Sequence, residues 1–308
     1  MSSVVCTLFE GHYHHGLAAL ANSLYHHGFR GEIWAGHRGQ PPPWARNLVE
    51  RDGTHAFQAA EGMTIRFLKV ETTRHLTNYK AKFMCDLREH HRPDASRFFY
   101  CDPDLVLKTG WNFFEQWADA GIALCEDVNS PMHSTHPMRK MWHRFYQPHG
   151  FSTAKELDLY VNAGFVGVSR DHWGFVETWK RLLDLLDTET DGLAELGVKD
   201  RAYPFHKPDQ DALNAAAMYA AQPLSIVGKD GMDFIHGGFL MSHALGTPKP
   251  WTKAFTREAL RGYPPALADH CFWQHTTSPI DIFTPEERRW KTLDLSLACG
   301  IARFYARA

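Results

Sequence analysis

The stretch FFYCDPDLVLK, residues 98–108, joins an apolar run to two acidic residues that flank a proline. The apolar run predicts a buried strand that stops at Asp102 and Asp104. Carboxylates at the C-terminal end of a parallel strand lie where open α/β sheets bind their ligands. With Pro103 stiffening the turn, both carboxylates can face one hard divalent cation, Mg²⁺ or Mn²⁺. An Asx-type turn with solvated acidic side chains is the competing interpretation, and the pair alone favours neither.

Short β-rich runs alternate with amphipathic helical windows on either side of this stretch. The alternation predicts an α/β protein with a mostly parallel sheet and flanking helices. No internal repeat or long linker marks two independent domains, so we expect one domain with a C-terminal helical extension. Strands are predicted at residues 3–9, 32–36, 64–70, 97–102, 121–127 and 160–169, and helices at residues 16–28, 41–53, 78–91, 172–186, 208–221 and 284–308.

The composition is that of an ordinary globular chain. Of 308 residues, 44% are hydrophobic and 22% are charged, which argues against intrinsic disorder. Lys and Arg number 33 against 35 Asp and Glu, a net charge of −2, so no bulk positive field exists to hold a nucleic acid. Any anion that the protein binds must therefore be bound locally.

Six cysteines are scattered without a CxxC pair. This usage predicts buried free thiols and a reduced, cytoplasmic protein. The histidine clusters HYHH and HH lack the spacing of a zinc site. The first apolar run is too short for a signal peptide, and no stretch reaches the length of a transmembrane helix. The tail helix has one apolar stripe, which fits packing on the domain or peripheral contact with a membrane or partner.

The segment HALGTPKPW, residues 243–251, carries an imidazole, a glycine and a lysine held between prolines. His243 offers a metal ligand, Gly246 allows close approach of the backbone to a phosphate, and Lys249 supplies a cation. A plain surface loop is the alternative interpretation. Such a loop would need neither the histidine nor the lysine.

Two further segments place polar residues where local structure does not require them. The predicted helix PDQDALN begins with Asp209, Gln210 and Asp211, and capping explains one acidic residue but not the cluster. The predicted strand YVNAGFVGVS contains Asn162 and Gly164, and a buried amide in a strand needs a partner. A functional amide donor to a substrate hydroxyl and a β-bulge both remain open.

Taken in order, CDPD, VNAGFVGV, DQDALN and HALGTPKPW resemble glycosyltransferase family 8, the retaining nucleotide-sugar transferases that include glycogenin and bacterial lipopolysaccharide galactosyltransferases. The resemblance covers residues 4–251. It implies the A-type glycosyltransferase fold, a Rossmann-like sheet with the sugar donor at the strand ends. A catalytic domain over residues 1–254 is then expected, with residues 255–308 as a helical extension packed on it.

The resemblance also implies roles for individual residues. Asp102, Asp104 and His243 are similar to the three protein ligands of a manganese ion that bridges the donor diphosphate. A histidine among the ligands favours Mn²⁺ over Mg²⁺, which prefers oxygen ligands. The donor-binding residues that the resemblance implies are Thr7, Phe9, Tyr13, Lys82, Asp102, Asn162, Gly164, Asp211, Gly246 and Lys249.

The activity that the resemblance implies is transfer of a hexose from a nucleotide-diphosphate sugar, with UDP as the first expectation, to an unidentified acceptor. Asp209 and Gln210 are the catalytic candidates, Asp209 as nucleophile of a double displacement and Gln210 as stabiliser of an oxocarbenium-like state. Same-face attack is the competing route to retention. A module that binds nucleotide sugars without turnover is the alternative function.

The acceptor pocket is expected in two insertions near strand ends. They are the aromatic- and histidine-rich segment Met132–Phe151 and the loop Asp191–Lys207. Insertions of this size commonly carry substrate specificity.

Overall fold

A computed structural model describes residues 2–190 and 193–305 of the chain. The strands are β1 (Ser3–Phe9), β2 (Gly31–His37), β3 (Val49–Arg51), β4 (Thr54–Ala60), β5 (Met63–Lys69), β6 (Arg97–Cys101), β7 (Leu105–Leu107), β8 (Ile122–Glu126), β9 (Val161–Ser169), β10 (Leu224–Val227) and β11 (Met241–His243). The helices are α1 (His14–His26), α2 (Lys80–Asp86), α3 (Trp111–Ala120), α4 (Pro137–Tyr146), α5 (Gly174–Thr190), α6 (Pro208–Tyr219), α7 (Phe255–Leu260), α8 (Leu267–Gln274) and α9 (Pro285–Tyr305).

Nine of the strands form one sheet, in the order β10-β8-β9-β6-β1-β2-β5-β4-β3. Its centre is the parallel block β6-β1-β2-β5, and β8 pairs with β10 in parallel as well. The strand β9 runs antiparallel between β6 and β8, and β4 runs antiparallel between β5 and β3. The predicted fold class, a mostly parallel α/β sheet with flanking helices, is confirmed.

Two apolar layers cover the sheet. The alternation of side chains along β1 shows this directly, because Val4 and Cys6 pack into one layer while Val5 and Phe9 pack into the other. The first layer contains α2, α4, α5 and α6. The second contains α1, α3 and the helices that follow Trp251. The central strands β1, β6 and β9 are therefore buried on both faces, as their nearly continuous apolar sequences require.

The predicted helix at residues 41–53 is wrong. Residues 49–60 instead form the hairpin β3-β4, whose two-residue turn is Asp52-Gly53, with φ of 52° and 71°. Both positive φ values belong to a type I′ turn, for which Asp-Gly is a strong sequence signal. The prolines at the start of this segment suggested a helix N-terminus, but the Asp-Gly pair was the stronger signal.

The C-terminal helices pack on the second layer through a defined polar contact. The Asn22 side chain on α1 donates hydrogen bonds of 2.8 Å to the carbonyls of His275 and Ile280 and accepts one of 2.9 Å from the Ile280 amide. The Asp294 carboxylate on α9 accepts bonds from the amides of Phe255 and Thr256. Among the described residues, no helix combines the length and hydrophobicity that crossing a membrane requires.

Two half-buried histidines, His15 and His275, make stability depend on pH in mild acid. Burial, reinforced by neighbouring histidines, lowers the pKa of His15 and of His275 to about 4. The unfolded chain takes up these protons near the ordinary pKa of 6.5, before the folded protein does. Their contribution to the free energy of unfolding is therefore complete above pH 6.5 and is lost as the pH falls towards 4.

We expect His275→Gln to flatten the pH dependence of stability across this window, because glutamine takes up no proton. Urea unfolding at several pH values between neutrality and mild acid measures this effect. The matched control is His236→Gln, at an exposed position, which should leave the dependence as it is in the parent protein. Equal slopes in all three proteins would contradict the assignment.

Candidate active site

A cleft of about 700 Å³ lies at the edge of the sheet where β1 and β6 end. Because β9 runs antiparallel to β6, its first residues lie at this same edge. The Asp102 amide donates a 2.7 Å hydrogen bond to the Gly164 carbonyl and so continues the ladder one residue beyond β6. Asp102 and Asp104, which follow β6, therefore line the cleft, as predicted for carboxylates at the end of a parallel strand.

The small sheet β7-β11 brings His243 to the acidic pair. In its antiparallel register His243 lies opposite Leu105, and the Ala244 amide donates to the Asp104 carbonyl at 3.1 Å. His243 Nε2 lies 3.3 Å from Asp104 Oδ1 and 3.8 Å from Asp102 Oδ2. Asp102, Asp104 and His243 each offer one atom to a group whose members lie within 4.8 Å of one another. The predicted metal ligands therefore converge.

Lys249 lies against this group. Its Nζ makes an ion pair with Asp104 and donates a 2.6 Å hydrogen bond to the Ala244 carbonyl. Burial alone would raise the pKa of Asp104, but His243 and Lys249 hold it well below its usual range. Gly246, in the same loop, lines the cleft with a φ of +73° that favours glycine. The loop thus presents a cation and an open backbone to the cleft.

Lys80, rather than Lys82, is the lysine of α2 that enters the cleft. Its ammonium lies 3.0 Å from Asp102 Oδ1 and 3.1 Å from Asp209 Oδ2, and the side chain is 2% exposed. Lys82 lies outside the cleft lining and pairs with Asp86 on the same helix. Residues two apart on a helix point in nearly opposite directions, so only one of the two lysines can face the sheet.

The apolar pattern of α2 contains the signal that identifies Lys80. The buried residues Phe83, Met84 and Leu87 lie three, four and seven positions after it, which places Lys80 on the same buried stripe. Lys82 does not share that spacing. Lys82 was implied by the family resemblance, which depends on a basic residue in the helix before the acidic pair and takes no account of helical phase.

The three polar residues at the start of α6 separate into two roles. Asp209 and Gln210 line the cleft. Burial raises the pKa of Asp209 to about 7, although Lys80 opposes this shift. The Gln210 carbonyl oxygen accepts a 3.2 Å bond from the Ala163 amide, while its Nε2 is buried without a hydrogen-bond partner among the described residues.

Asp211, predicted to bind the donor, instead stabilises the helix end. Its carboxylate accepts hydrogen bonds from the Tyr160 hydroxyl at 2.7 Å and from the Lys207 amide at 2.8 Å. It does not belong to the cleft lining. A carboxylate that accepts a backbone amide in the first turn is the capping arrangement that the helix dipole favours.

Asn162 and Gly164, both predicted to bind the donor, line the cleft. The Asn162 amide donates to Asp127 Oδ2 at 2.6 Å and accepts from the Gly164 amide at 2.8 Å. Asp127 also lines the cleft, and the sequence prediction did not select it. A Cβ built on Gly164 would lie 2.5 Å from His243 Cε1, so glycine leaves the space that the imidazole occupies.

The cleft wall beyond the acidic group contains Phe9 and Tyr13, as predicted, together with Glu10 and His75. Phe9 stacks on His37 with ring centroids 5.6 Å apart. Thr7, also predicted here, is buried inside β1 and is not part of the cleft lining.

The two insertions expected to bind the acceptor differ. Residues 196–199, 206 and 207 of the second loop line the cleft, while its residues 191 and 192 lie outside the described part of the chain. No residue of Met132–Phe151, all of which are described, lines the cleft. That segment instead forms α4 and part of a separate cavity.

Comparisons with known proteins identify the fold of the chain. No protein-family model matches the chain. No curated protein matches its sequence either. Solved glycosyltransferases match its structure over almost its full length: GlyE of Streptococcus pneumoniae TIGR4 with a TM-score of 0.54 at 15% identity, the bifunctional enzyme WbbM in its apo form with 0.53 at 14%, and the galactosyltransferase LgtC with 0.51 at 15%.

The chain has the A-type glycosyltransferase fold. GlyE and WbbM each match 96% of this chain, but the chain spans 64% of GlyE and 51% of WbbM. LgtC, solved in complex with donor and acceptor sugar analogues, matches 94% of this chain, which spans 99% of LgtC. At these identities the likeness establishes the fold and leaves the reaction to be argued from the cleft.

Removal of Lys80 should destabilise the protein strongly. Lys80→Met leaves the buried Asp209 without its cation, a change that costs about 3 kcal/mol where a buried pair is broken. Lys82→Met, the matched control, removes a half-exposed ion pair with Asp86 and should change stability by less than about 1 kcal/mol. Urea unfolding at neutral pH measures both effects.

The defect of Lys80→Met should also grow as the pH rises above about 7, because Asp209 then ionises beside Lys80 in the folded parent protein but stays protonated in the variant, which lacks the cation that lowers its pKa. A defect that is constant with pH would contradict the pairing with Asp209.

Gly164→Ala should disturb His243 without changing any charge. Because the added Cβ would lie within 2.5 Å of the imidazole, we expect the affinity for Mn²⁺ to fall by about tenfold or more, as for changes beside metal ligands. Gly300→Ala on α9, where a Cβ meets no atom within 4 Å, is the control. Calorimetric titration with Mn²⁺ compares them, and equal affinities would exclude β9 as the support of His243.

Proposed function

We propose that this protein is a metal-dependent, retaining glycosyltransferase that moves a hexose from a nucleotide-diphosphate sugar to an acceptor. A UDP-sugar is the first candidate for the donor. The observation that carries this proposal is the convergence of Asp102, Asp104 and His243 at the strand ends of an A-type glycosyltransferase sheet. Two carboxylates and one imidazole from segments about 140 residues apart meet beside two lysines. A solvated Asx turn would require none of these partners.

The donor set suits a divalent cation. Two oxygens and one imidazole nitrogen are available, and His243 Nδ1 is buried without a hydrogen-bond partner among the described residues. Mixed oxygen and nitrogen ligands favour Mn²⁺ over Mg²⁺. Asp102, Asp104 and His243 would hold the ion, which when bound would supply positive charge to the oxygens of a diphosphate.

Lys249 is the group that supports departure of the diphosphate. The leaving group gains negative charge as the sugar bond breaks, so a cation fixed beside it stabilises the transition state more than the ground state. Burial would lower the pKa of Lys249, but Asp104 raises it, so the side chain stays charged. The open backbone at Gly246 allows the phosphates to approach this ammonium closely.

Asp209 and Gln210 are placed to act at the sugar. Lys80 holds Asp209 beside the acidic pair and keeps its carboxylate available for attack or for charge stabilisation. The Gln210 amide faces the same cleft with a free donor. A glutamine also lies in the active site of LgtC, one structure of which carries an active-site glutamine-to-glutamate substitution. Double displacement by Asp209 and same-face attack assisted by Gln210 both fit this placement.

Phe9 and Tyr13 are proposed to border the nucleobase, with Glu10 as the acceptor for a base N–H. The cleft-lining part of the loop 193–207 is proposed to contact the acceptor. We also propose that residues 1–254 form the catalytic unit and that residues 255–308 support it through α1.

The variant Asp104→Asn tests the reaction. It keeps the shape of the side chain but removes the charge that pairs with Lys249 and serves the metal, so we expect donor turnover to fall by about a hundredfold or more. The assay follows release of nucleoside diphosphate from a panel of nucleotide sugars across a range of Mn²⁺ concentrations. Asp171→Asn, an exposed carboxylate outside the cleft, is the matched control.

Full activity of Asp104→Asn, or turnover that persists after chelation of metal, would overturn the proposal. Tight binding of a nucleotide sugar with no release of product at any Mn²⁺ concentration would identify the protein as a binding module instead.

A further inference from the structure

A second cavity, of about 340 Å³, is lined by α4 and by the segment that follows it. None of its lining residues lines the cleft. Three cationic side chains, Arg139, Lys140 and Lys155, contribute to it. The cavity therefore concentrates positive charge in a protein whose net charge is −2.

Arg139 is the buried element of this cavity. The residue is 1% exposed, and its Nε donates a 3.1 Å hydrogen bond to the Met132 carbonyl while Nη2 donates to the Leu159 carbonyl. Its Nη1 is buried with no hydrogen-bond partner among the described residues. Burial lowers the pKa of Arg139 to about 10, although Asp158 opposes this shift. A buried cation that lacks a paired carboxylate is costly, and a bound anion would offset that cost.

The remaining lining extends the set of donors. Lys140 is exposed, and the Lys155 ammonium donates to the Ala220 carbonyl. The single acidic side chain in the lining is Glu156. The Thr153 hydroxyl and the His143 imidazole also line the cavity, and the hydroxyl lies 3.5 Å from His143 Nδ1. Three cations therefore face one carboxylate.

We propose that this cavity binds a phosphate monoester, at a site separate from the cleft. A phosphate group carries up to two negative charges and three terminal oxygens, which match several ammonium, guanidinium and hydroxyl donors better than the two oxygens of a carboxylate. The volume exceeds that of phosphate alone and leaves room for a small organic group. The inference stands on this cavity alone and does not depend on the proposed transfer reaction.

Inorganic phosphate is the first probe, titrated by calorimetry into the full-length protein without divalent metal. We expect saturable binding that weakens as sodium chloride is added, because exposed charges are screened. The variant Lys140→Gln/Lys155→Gln should lower the affinity by about tenfold. Arg144→Gln removes one positive charge from the same helix but not from the cavity lining, and it should bind as the parent protein does.

The His143 ring supplies a second readout that locates the ligand. Its proton resonance, identified by its loss in His143→Gln, should shift on addition of phosphate. Binding that persists in the double lysine variant, or that leaves the His143 resonance unmoved, would place the anion elsewhere and overturn the proposal. Absence of saturable binding would also overturn it.

Two sources of the phosphate group are separated by a further comparison. Glycerol 3-phosphate competes if the natural ligand is a free phosphate ester, while vesicles that contain phosphatidic acid compete if it is a lipid headgroup. Competition by either probe that is lost in Lys140→Gln/Lys155→Gln supports the site. Competition by neither would restrict the cavity to an adventitious ion only and end the proposal.

Discussion

The cleft depends on charges that neutralise one another after the fold has removed them from water. Lys80 bridges Asp102 and Asp209, and Lys249 pairs with Asp104. An unpaired buried charge costs several kcal/mol, so each of these groups is tolerable only while its partner is in place. The pairs therefore hold α2, the end of β6, the start of α6 and the loop after β11 in one arrangement, because a shift of any one element would leave a charge without its partner.

The same arrangement explains why small residues surround the site. A Cβ on Gly16 would lie 2.3 Å from the Pro103 carbonyl oxygen, so glycine lets α1 pack directly against the turn that carries the acidic pair. Glycine at position 164 likewise leaves the space that the His243 imidazole occupies. Beyond α1, the Asn22 side chain joins this helix to the C-terminal segment through three hydrogen bonds. The support of Asp102, Asp104 and His243 thus extends from β9 to His275 and Ile280 in the C-terminal segment.

The residues that the sequence identified most reliably lie where a local pattern ends abruptly. The apolar strand that stops at Asp102 and the histidine and lysine of HALGTPKPW predicted a shared site, and the structure brings these groups together. The family resemblance was less informative where orientation mattered. It implied donor contacts for Lys82 and Asp211, but Lys82 pairs with Asp86 on its own helix and Asp211 caps α6.

The sequence by itself determined the α/β class, the position of most strands and the chemical types of the cleft residues, since strand period, helix period and turn residues are local properties of the chain. The hairpin β3-β4, where the sequence predicted a helix, also has a local signal in its Asp52-Gly53 turn. Only the tertiary structure decided which acidic residue of α6 faces the cleft and that α4 contributes to a second cationic cavity. These features depend on the packing of segments far apart in the chain, and the burial that sets their charge pairing exists only after those segments meet.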